Sequence, residues 1–262
     1  MLFYPLFSGS SGNASLVEAD GVRILIDAGV TGSALTRALG EIGVEPKSVN
    51  AILITHEHSD HVSGAGVFSR KYDVPIYANK GTWEAMPPGV GLIAPHNVRV
   101  FETNRDFCVN QVEITPFKTP HDARESVGYA ISCGGKRLCV MTDIGVVEPR
   151  LLDMAEGADL LFIEANHDTD MLRMGSYPYV LKRRILSDVG HLSNESAGRA
   201  LVKLYTRGLR RAILGHLSRD NNMEELALAT VRELLREENI DDASFELSVA
   251  HRSRITGRYE VG

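Results

Sequence analysis

The chain has 262 residues, of which 44% are hydrophobic and 24% charged, and its formal net charge at pH 7 is −6. This composition is typical of a globular protein, and no apolar run approaches the roughly 20 residues that a membrane-spanning helix needs. The negative charge argues against a general electrostatic binder of nucleic acid. The first residues lack the basic and apolar regions of a signal peptide, so we expect a cytoplasmic protein without a membrane partner.

The N-terminal part of the chain predicts the opening strands of a sheet. Apolar residues alternate from Leu2 to Phe7, and further strands are expected at 14–17 and 22–26. The loop 8–13 between them is rich in glycine and serine. It is either a plain hairpin connection, which we favour, or a set of backbone N–H groups presented to a phosphate. Helical spacing follows at 33–42.

A dense group of metal-binding side chains follows the apolar run Ala51–Ile54. It consists of His56, His58, Asp60 and His61. Imidazole and carboxylate are the usual donors to borderline divalent cations such as zinc, iron or manganese. A strand that ends before this group leaves it on a loop, where the donors can divide between two ions. The alternative, a solvated turn with incidental histidines, leaves the density of donors unexplained.

The rest of the chain predicts alternating helices and strands. We expect helices at 65–72, 149–155, 195–205 and 223–238, a surface loop at 86–97, and strands at 75–78, throughout 98–141, and at 160–163, 211–214 and 245–249. Both halves contain both kinds of element, as in two sheets packed face to face with helices outside. The ~70 or more residues that a second domain needs are absent, so we expect one domain over 1–262.

The chain has three cysteines, Cys108, Cys133 and Cys139, all in strand-like contexts without the spacing of a metal site. Their odd number argues against a disulfide framework. We expect buried, reduced thiols.

Three further candidate ligands each follow a predicted strand: His121, Asp143 and His216. Together with the histidine-rich loop, they resemble the signature of the metallo-β-lactamase fold superfamily, whose ligands lie at strand ends. The resemblance implies an α/β fold of the αββα type, in which two mixed sheets are flanked by helices.

The same resemblance implies two divalent metal ions, zinc, manganese or iron, with three ligands each and one bridging carboxylate. These are His56, His58 and His121; Asp60, His61 and His216; and the bridging Asp143. Two cations about 3.5–4 Å apart can share a water, lower its pKa so that a bridging hydroxide acts as nucleophile, and stabilise both oxygens of a displacement. This chemistry is hydrolysis, and it leaves thioesters, lactones and phosphodiesters open as substrates.

Two residues favour a phosphodiester. Glu164 and His191 resemble the His/Glu pair of the phosphodiesterase branch typified by ribonuclease Z. A histidine oriented by a carboxylate can protonate an alkoxide leaving group, which a phosphodiester needs more than a thioester does. The alternative is that His191 caps the helix that begins near Asn194 and that Glu164 is a strand-end charge. Together with Asp60, this pair forms the expected catalytic set.

Nearly the whole chain resembles the YycJ (WalJ) family of metallo-β-lactamase-fold DNA exonucleases. The resemblance is carried by residues 8–13, 119–122, 164–175, 182–194 and 216–222. It implies a bacterial, cytoplasmic, metal-dependent exonuclease that degrades single- or double-stranded DNA from 5′ ends. No ligand position departs from the pattern. His167 has no assigned role, and we favour support of a ligand over ligation.

The connection 168–193 carries three basic residues beside Tyr177 and Tyr179. Basic side chains interleaved with aromatic ones suit a phosphate-bearing strand that also stacks bases, whereas a solvated face is the alternative. In a short helix here, residues 180, 181, 185 and 186 are expected to face the core. The expected DNA contacts are Lys182, Arg183, Arg184, Ser193, Asn194 and Asn222.

Three other classes of protein use related ligand sets or folds. A thioester or lactone hydrolase of the same fold is disfavoured by the Glu164–His191 pair and by the absence of a C-terminal helical thiol-cofactor domain. A di-iron redox protein needs a flavin domain, and a non-catalytic nucleic-acid module is expected to have lost ligands. We therefore predict a dinuclear-metal phosphodiesterase acting on DNA. The physiological metal, strand polarity, preference between DNA and RNA, and oligomeric state stay open.

Overall fold

The computed structural model describes all 262 residues, and fourteen strands form two seven-stranded sheets. In chain order the strands are β1 (Leu2–Phe7), β2 (Ala14–Ala19), β3 (Val22–Ile26), β4 (Ala51–Leu53), β5 (Ile76–Asn79), β6 (Val98–Phe101), β7 (Phe107–Val109), β8 (Val112–Lys118), β9 (Val127–Cys133), β10 (Lys136–Met141), β11 (Leu160–Glu164), β12 (Arg211–Gly215), β13 (Glu246–Val249) and β14 (Tyr259–Glu260).

Nine α-helices connect these strands, and none is both long enough and apolar enough to span a bilayer. They are α1 (Gly32–Glu41), α2 (Ser59–Val62), α3 (Ala65–Tyr72), α4 (Lys80–Ala85), α5 (Pro149–Ala155), α6 (Thr169–Met174), α7 (Tyr179–Ile185), α8 (Asn194–Thr206) and α9 (Glu224–Glu237). Helical turns of three residues also occur in the connections around α1 and α4.

Both sheets are mixed. The strand order is β14-β1-β2-β3-β4-β5-β6 in the first sheet and β13-β12-β11-β10-β9-β8-β7 in the second. Strands β3 to β6 run parallel, as do β10 to β13. Parallel strands share one C-terminal edge, and this edge is where ligands bind in open α/β sheets.

The core has three layers of apolar contact. The middle layer joins the two sheets, and within it Phe3 of β1 meets Phe162 of β11 edge to face at 5.3 Å between ring centroids. The outer layers bury the apolar faces of α1 and α3 against the first sheet and those of α5, α8 and α9 against the second. Each fully buried leucine or phenylalanine contributes about 1.5–3 kcal/mol. The predicted αββα architecture is confirmed.

Most predicted elements are present with ends shifted by a few residues, and four short ones were missed. Helices α2, α4 and α6 have four, six and six residues, too few to show a helical period. Strand β14 has two residues and is defined by its antiparallel pairing with β1, where Leu2 faces Glu260. Such elements depend on contacts with distant parts of the chain.

The cysteines are free thiols but are not all buried. Only Cys139, on β10 near the middle of the second sheet, is fully buried, and burial raises the pKa of its thiol to about 12. Cys133 is half-buried. Cys108 is exposed because it lies on β7, the edge strand of that sheet.

Helix α7 also differs from expectation. The prediction that residues 180, 181, 185 and 186 face the core is wrong for Val180 and Leu186, which are 79% and 44% exposed. Of the four, Ile185 alone is buried. The helix has seven residues and begins with exposed Tyr179, so it presents one buried contact and no apolar stripe.

Candidate metal centre

The seven candidate ligands meet at the C-terminal edges of the two sheets. Two of them, His56 and His58, lie on the loop after β4, and Asp60 and His61, which were expected on the same loop, lie in the short helix α2. The other three follow β8, β10 and β12. Donor atoms within 4.8 Å of one another form four overlapping groups, which are His56, His58 and His121; Asp60, His61 and His216; His56, His61 and Asp143; and Asp143, Glu164, His191 and His216. The structure therefore brings together the same two triads that the resemblance implied.

Asp143 lies between the two triads. Its Oδ2 is 3.3 Å from His61 Nε2, and its Oδ1 is 3.5 Å from His216 Nε2 and 3.8 Å from His121 Nε2. Its carboxylate is 2% exposed. One carboxylate thus faces donors of both groups, as a bridging ligand must.

Two of these ligands have an unusual backbone conformation. Asp143 and His216 have φ angles of 56° and 55°, and Asp27 at the end of β3 has 59°. Non-glycine residues adopt this left-handed region uncommonly, at a cost on the order of 1–2 kcal/mol. In all three the strand ends with a sharp turn of the chain, and the side chain enters the buried cluster. Strain of this kind concentrates at functional sites.

The unsatisfied polar atoms of the centre suit a cation. His56 Nε2, His216 Nε2 and Asp143 Oδ2 are buried and have no hydrogen-bond partner. An unsatisfied buried polar group costs about 1–3 kcal/mol, and such groups are rare in native proteins. Imidazole nitrogen and carboxylate oxygen are donors that borderline divalent ions prefer. The residues present therefore fit a metal centre.

Three candidate ligands share one arrangement, in which Nδ1 of the imidazole contacts an oxygen and Nε2 faces the other donors. The pairs are His61 with Asp27 Oδ2 at 2.7 Å, His121 with the carbonyl oxygen of Gly190 at 3.1 Å, and His216 with Glu164 Oε1 at 2.7 Å. Hydrogen bonds of this kind fix the orientation of a metal-binding imidazole and raise its basicity.

The sequence analysis missed Asp27 as a supporting residue. Its carboxylate also accepts hydrogen bonds from the Thr55 backbone N–H at 2.9 Å and from the Thr55 hydroxyl at 2.9 Å. The available signal was its position, since Asp27 follows a strand just as the ligands do.

The glycine- and serine-rich loop 8–13 supports the second triad. It connects the antiparallel pair β1 and β2, so the hairpin interpretation describes its topology. In addition, Ser8 Oγ accepts a hydrogen bond from His216 N–H at 2.8 Å. Asn13 Nδ2 lies 3.1 Å from His61 Nε2 and 3.3 Å from the Asp60 carbonyl oxygen. These contacts were not foreseen.

Glu164 is fully buried and contacts two histidines at once. Its Oε1 lies 2.7 Å from Nδ1 of both His191 and His216. Its Oε2 accepts hydrogen bonds from the backbone N–H groups of Ile144 at 2.9 Å and Leu192 at 3.1 Å. The carboxylate is thereby held rigidly between a candidate metal ligand and the candidate proton donor.

The alternative role for His191, a helix cap, is wrong. The N-cap of α8 is Ser193, whose Oγ accepts a hydrogen bond from Ser196 N–H at 3.2 Å. His191 is left with an 18% exposed side chain at the metal cluster, 3.8 Å from Asp143 Oδ1. Burial lowers the pKa of His191, but Glu164 outweighs this effect and the net pKa is raised.

The charges in the cluster shift the pKa values of histidines and carboxylates in opposite directions. Burial lowers the pKa of a histidine, yet Asp143 and other carboxylates raise that of His216 to about 10 and that of His61 well above its ordinary value. Burial likewise raises carboxyl pKa values, but the histidines hold those of Asp60 and Asp143 below the usual range. A cluster that keeps buried carboxylates ionised suits a cation.

Zinc added to the metal-free protein at pH 7 is expected to release about two protons, because an imidazole must be neutral to bind a metal. The groups expected to lose these protons are His216, whose pKa is raised to about 10, and His61, whose pKa is raised by Asp143, Asp27 and Asp60. Titration calorimetry in two buffers of different ionisation enthalpy counts the protons released. Metal affinity should rise with pH, and heats that do not depend on the buffer would contradict the assignment.

The three basic residues of the connection 168–193 differ in their contacts. Lys182 Nζ donates to the carbonyl oxygens of Arg173 and Gly175, both at 2.7 Å. Arg183 is exposed, with its guanidinium 6.0 Å from the ring centroid of Tyr179.

Arg184 forms an ion pair with Asp122, in which Nη2 and Oδ1 are 2.9 Å apart. The Asp122 carboxylate is in turn 3.5 Å from His121 Nε2. Arg184 therefore lies at the rim of the first triad. Of the three basic residues, Arg183 alone makes no hydrogen bond or ion pair.

The other three expected DNA contacts, Ser193, Asn194 and Asn222, form hydrogen bonds within the protein at or near the start of α8. Asn194 and Asn222 are buried, and each side-chain amide donates to the other, at 3.0 Å and 2.8 Å. Ser193 caps α8. Burial and mutual pairing keep both asparagines from a substrate in this conformation, contrary to expectation.

His167 lies outside every group of clustered donor atoms. It is buried, both ring nitrogens lack hydrogen-bond partners, and burial lowers the pKa of its imidazole to about 4. Its carbonyl oxygen accepts a hydrogen bond from Asn194 N–H at 2.9 Å. Its backbone therefore connects to the start of α8.

Residues 22–217 match the family model described as a beta-lactamase superfamily domain. Exodeoxyribonuclease YycJ of Bacillus anthracis is 42% identical over 235 residues, which cover 90% of this chain and 89% of that protein. Exodeoxyribonuclease WalJ of Streptococcus pneumoniae is 42% identical over 228 residues, 86% of this chain and 85% of that one. Zinc-bound PqqB of Methylobacterium extorquens shares the fold, with a TM-score of 0.75, 19% identity, and coverage of 98% and 100% of the two chains.

Proposed function

The chain belongs to the β-lactamase superfamily and, within it, to the family of the exodeoxyribonucleases YycJ and WalJ; from this membership we propose that it is a metal-dependent hydrolase that removes nucleotides from DNA ends. The observation that carries the proposal is the contact of Glu164 with His191 beside the cluster of donors. We further propose that residues 1–262 act as one cytoplasmic domain whose partner is single- or double-stranded DNA, cut from the 5′ end.

We propose that two divalent ions, zinc, manganese or iron, are held at the C-terminal edges of the sheets. When bound, such ions activate water as a nucleophile at neutral pH and neutralise charge on a phosphodiester. The residues that would hold them are His56, His58 and His121 for one ion, Asp60, His61 and His216 for the other, and Asp143 for both.

Glu164 and His191 would handle the proton that the leaving group needs. The carboxylate accepts from His191 Nδ1 and so directs the ring, leaving Nε2 to donate a proton to the departing alkoxide. The thiolate that leaves a thioester needs this proton much less, which disfavours a thioester hydrolase. A lactone expels an alkoxide as a phosphodiester does, so a small-molecule hydrolase is retained as the alternative and the substrate test below separates the two.

Arg183→Ala should weaken DNA binding and reduce its dependence on salt. When the logarithm of the binding constant is plotted against the logarithm of the salt concentration, each phosphate contact on single-stranded DNA contributes about 0.7 to the steepness of the slope. Loss of one contact should therefore flatten the slope by about that amount. Kd measured for a labelled oligonucleotide at several salt concentrations tests this. An unchanged slope would mean that Arg183 is only a solvated residue.

The control for Arg183 is Lys182→Ala. Lys182 Nζ is bound to two carbonyl oxygens near the end of α6, so this variant should lower thermal stability and change the salt slope little. A triple replacement of residues 182–184 would mix lost packing with lost attraction. The single variants separate these effects.

The proposed activity is tested with DNA labelled at one end. Metal-free protein, and protein loaded with zinc, manganese or iron, are incubated with single- and double-stranded substrates labelled at either the 5′ or the 3′ end. We expect metal-dependent release of nucleotides, with the 5′ label released first. Intact DNA, combined with rapid hydrolysis of a thioester or lactone, would overturn the proposal in favour of its alternative.

A further inference from the structure

A polar pocket lies close to His216 of the second triad, because its residue Arg252 contacts the segment 217–218. It has a volume of about 220 Å³ and is lined by Ser11, Arg219, Arg252 and Ser253. Two arginines and two serines thus line one concavity, and no acidic or apolar residue contributes to its lining. None of these residues belongs to the metal cluster.

The pocket is built by a close approach of Arg252 to the glycine- and serine-rich loop. A Cβ at Gly9 would lie 3.0 Å from Arg252 Cγ and 2.9 Å from the Leu217 carbonyl oxygen, so only glycine fits there. Ser8 N–H donates to the Arg252 carbonyl oxygen at 3.2 Å. Arg252 Nη1 also lies 3.5 Å from the Ser218 carbonyl oxygen. The half-buried stem of Arg252 is therefore held against the loop.

Neither Arg219 nor Arg252 forms an ion pair. Among the acidic residues near them in sequence, Asp220 accepts a hydrogen bond from the Tyr177 hydroxyl at 2.9 Å and Glu224 pairs with His251 at 2.7 Å. Two guanidiniums in a polar pocket match the oxygen atoms of a phosphate, which arginine binds through several directed N–H groups.

The position of this pocket relates it to the metal centre. Arg219 is on the segment that begins with the candidate ligand His216, and Ser11 is on the loop whose Asn13 contacts His61 and Asp60. The Arg184–Asp122 pair, by contrast, lies beside His121 of the first triad. Arg184 on the side of the first triad is neutralised by Asp122, whereas the two arginines on the side of the second triad have no ion-pair partner.

We propose that Ser11, Arg219 and Arg252 form a subsite for a phosphate of the DNA strand that flanks the bond being cut. This inference rests on the proposed function and deepens it, because it assigns one side of the path that the strand takes. It also gives a role to the glycine- and serine-rich loop, through Ser11 and the close contact at Gly9. A backbone phosphodiester and a terminal phosphomonoester share the required chemistry.

The test uses metal-loaded protein and oligonucleotides in which one phosphate at a time, other than the one being cut, is replaced by an uncharged methylphosphonate. We expect one position to raise KM roughly tenfold, the effect of losing a charged hydrogen bond. In the double variant Arg219→Gln and Arg252→Gln, KM for unmodified DNA should rise by a similar factor. The same methylphosphonate should then have no further effect.

The matched control is Arg99→Gln. Arg99 is an exposed arginine without an ion pair, and it lies on β6, an edge strand of the first sheet far from β1 in the strand order. In this variant, KM should depend on the position of the methylphosphonate as it does in the unmodified protein. Glutamine keeps most of the Arg252 stem against Gly9. If thermal melting shows that the double variant is unfolded, Arg219→Gln alone carries the test, because Arg219 is exposed.

Two further substrates, one with and one without a 5′ phosphate, show whether the subsite binds a terminal phosphomonoester or a backbone phosphodiester. A terminal phosphate in the subsite predicts that its removal reproduces the tenfold effect, whereas a backbone phosphate predicts that an internal position does so. If DNA is digested but the methylphosphonate profile is the same in the protein and the double variant, the subsite is wrong and the exonuclease proposal stands. If no DNA is cut, both are wrong.

Discussion

Replacement of Asp143 by alanine is expected to abolish hydrolysis and to release at least one metal ion while the fold is retained. The Asp143 carboxylate lies 3.3–3.8 Å from imidazole nitrogens of both triads, so its loss removes a donor from each. It also removes negative charge that raises the pKa values of His61 and His216. Digestion of labelled DNA, elemental analysis of bound metal and thermal melting measure the three effects.

The control for Asp143 is Asp159→Ala. Asp159 lies just before β11, at the other end of the same sheet, where its carboxylate accepts a hydrogen bond from Arg137 N–H at 2.7 Å. This variant should lose some stability but keep its metal and its activity. Full metal occupancy with normal turnover in Asp143→Ala would contradict the assignment of Asp143 as the bridging ligand.

His191→Ala is expected to lower the rate on DNA by roughly 10²–10⁴-fold, the usual contribution of a positioned general acid. Its metal content should stay unchanged, because His191 belongs to neither triad and its Nδ1 is engaged by Glu164 Oε1 at 2.7 Å. The general acid works only while protonated, so the rate of the unmodified protein should fall as pH rises through the His191 pKa. That alkaline decrease should disappear in the variant.

Two comparisons make the His191 result specific. An aryl phosphodiester has a leaving group of low pKa that needs no proton, so its hydrolysis should hardly change in His191→Ala. Glu164→Gln should behave differently, because Glu164 Oε1 contacts His216 as well as His191. Loss of such support typically weakens metal binding 10–100-fold, which lowers activity on both substrates. Equal loss on DNA and aryl substrate in His191→Ala would rule out the acid role.

The sequence by itself determined the fold class and the candidate ligands. A run of apolar residues that stops just before His56 predicts a buried strand with polar residues at its end, and the same pattern recurs before His121, Asp143 and His216. Hydrophobic period and residue chemistry are local properties that a sequence displays directly. The resemblance to the metallo-β-lactamase superfamily then implied that these strand-end residues are ligands, without knowledge of how the strands pair.

Only the tertiary structure decided which residues form hydrogen bonds with each candidate ligand and which polar residues are accessible to a substrate. Ser8 and His216 meet although 208 positions separate them, and Glu164 joins two histidines that lie 27 and 52 positions away. Asn194 and Asn222 were expected to contact DNA, yet both are buried and each satisfies the side-chain amide of the other. No local spacing encodes such pairings, since they arise when the packing of two sheets brings strand ends together and a buried polar group must find a partner.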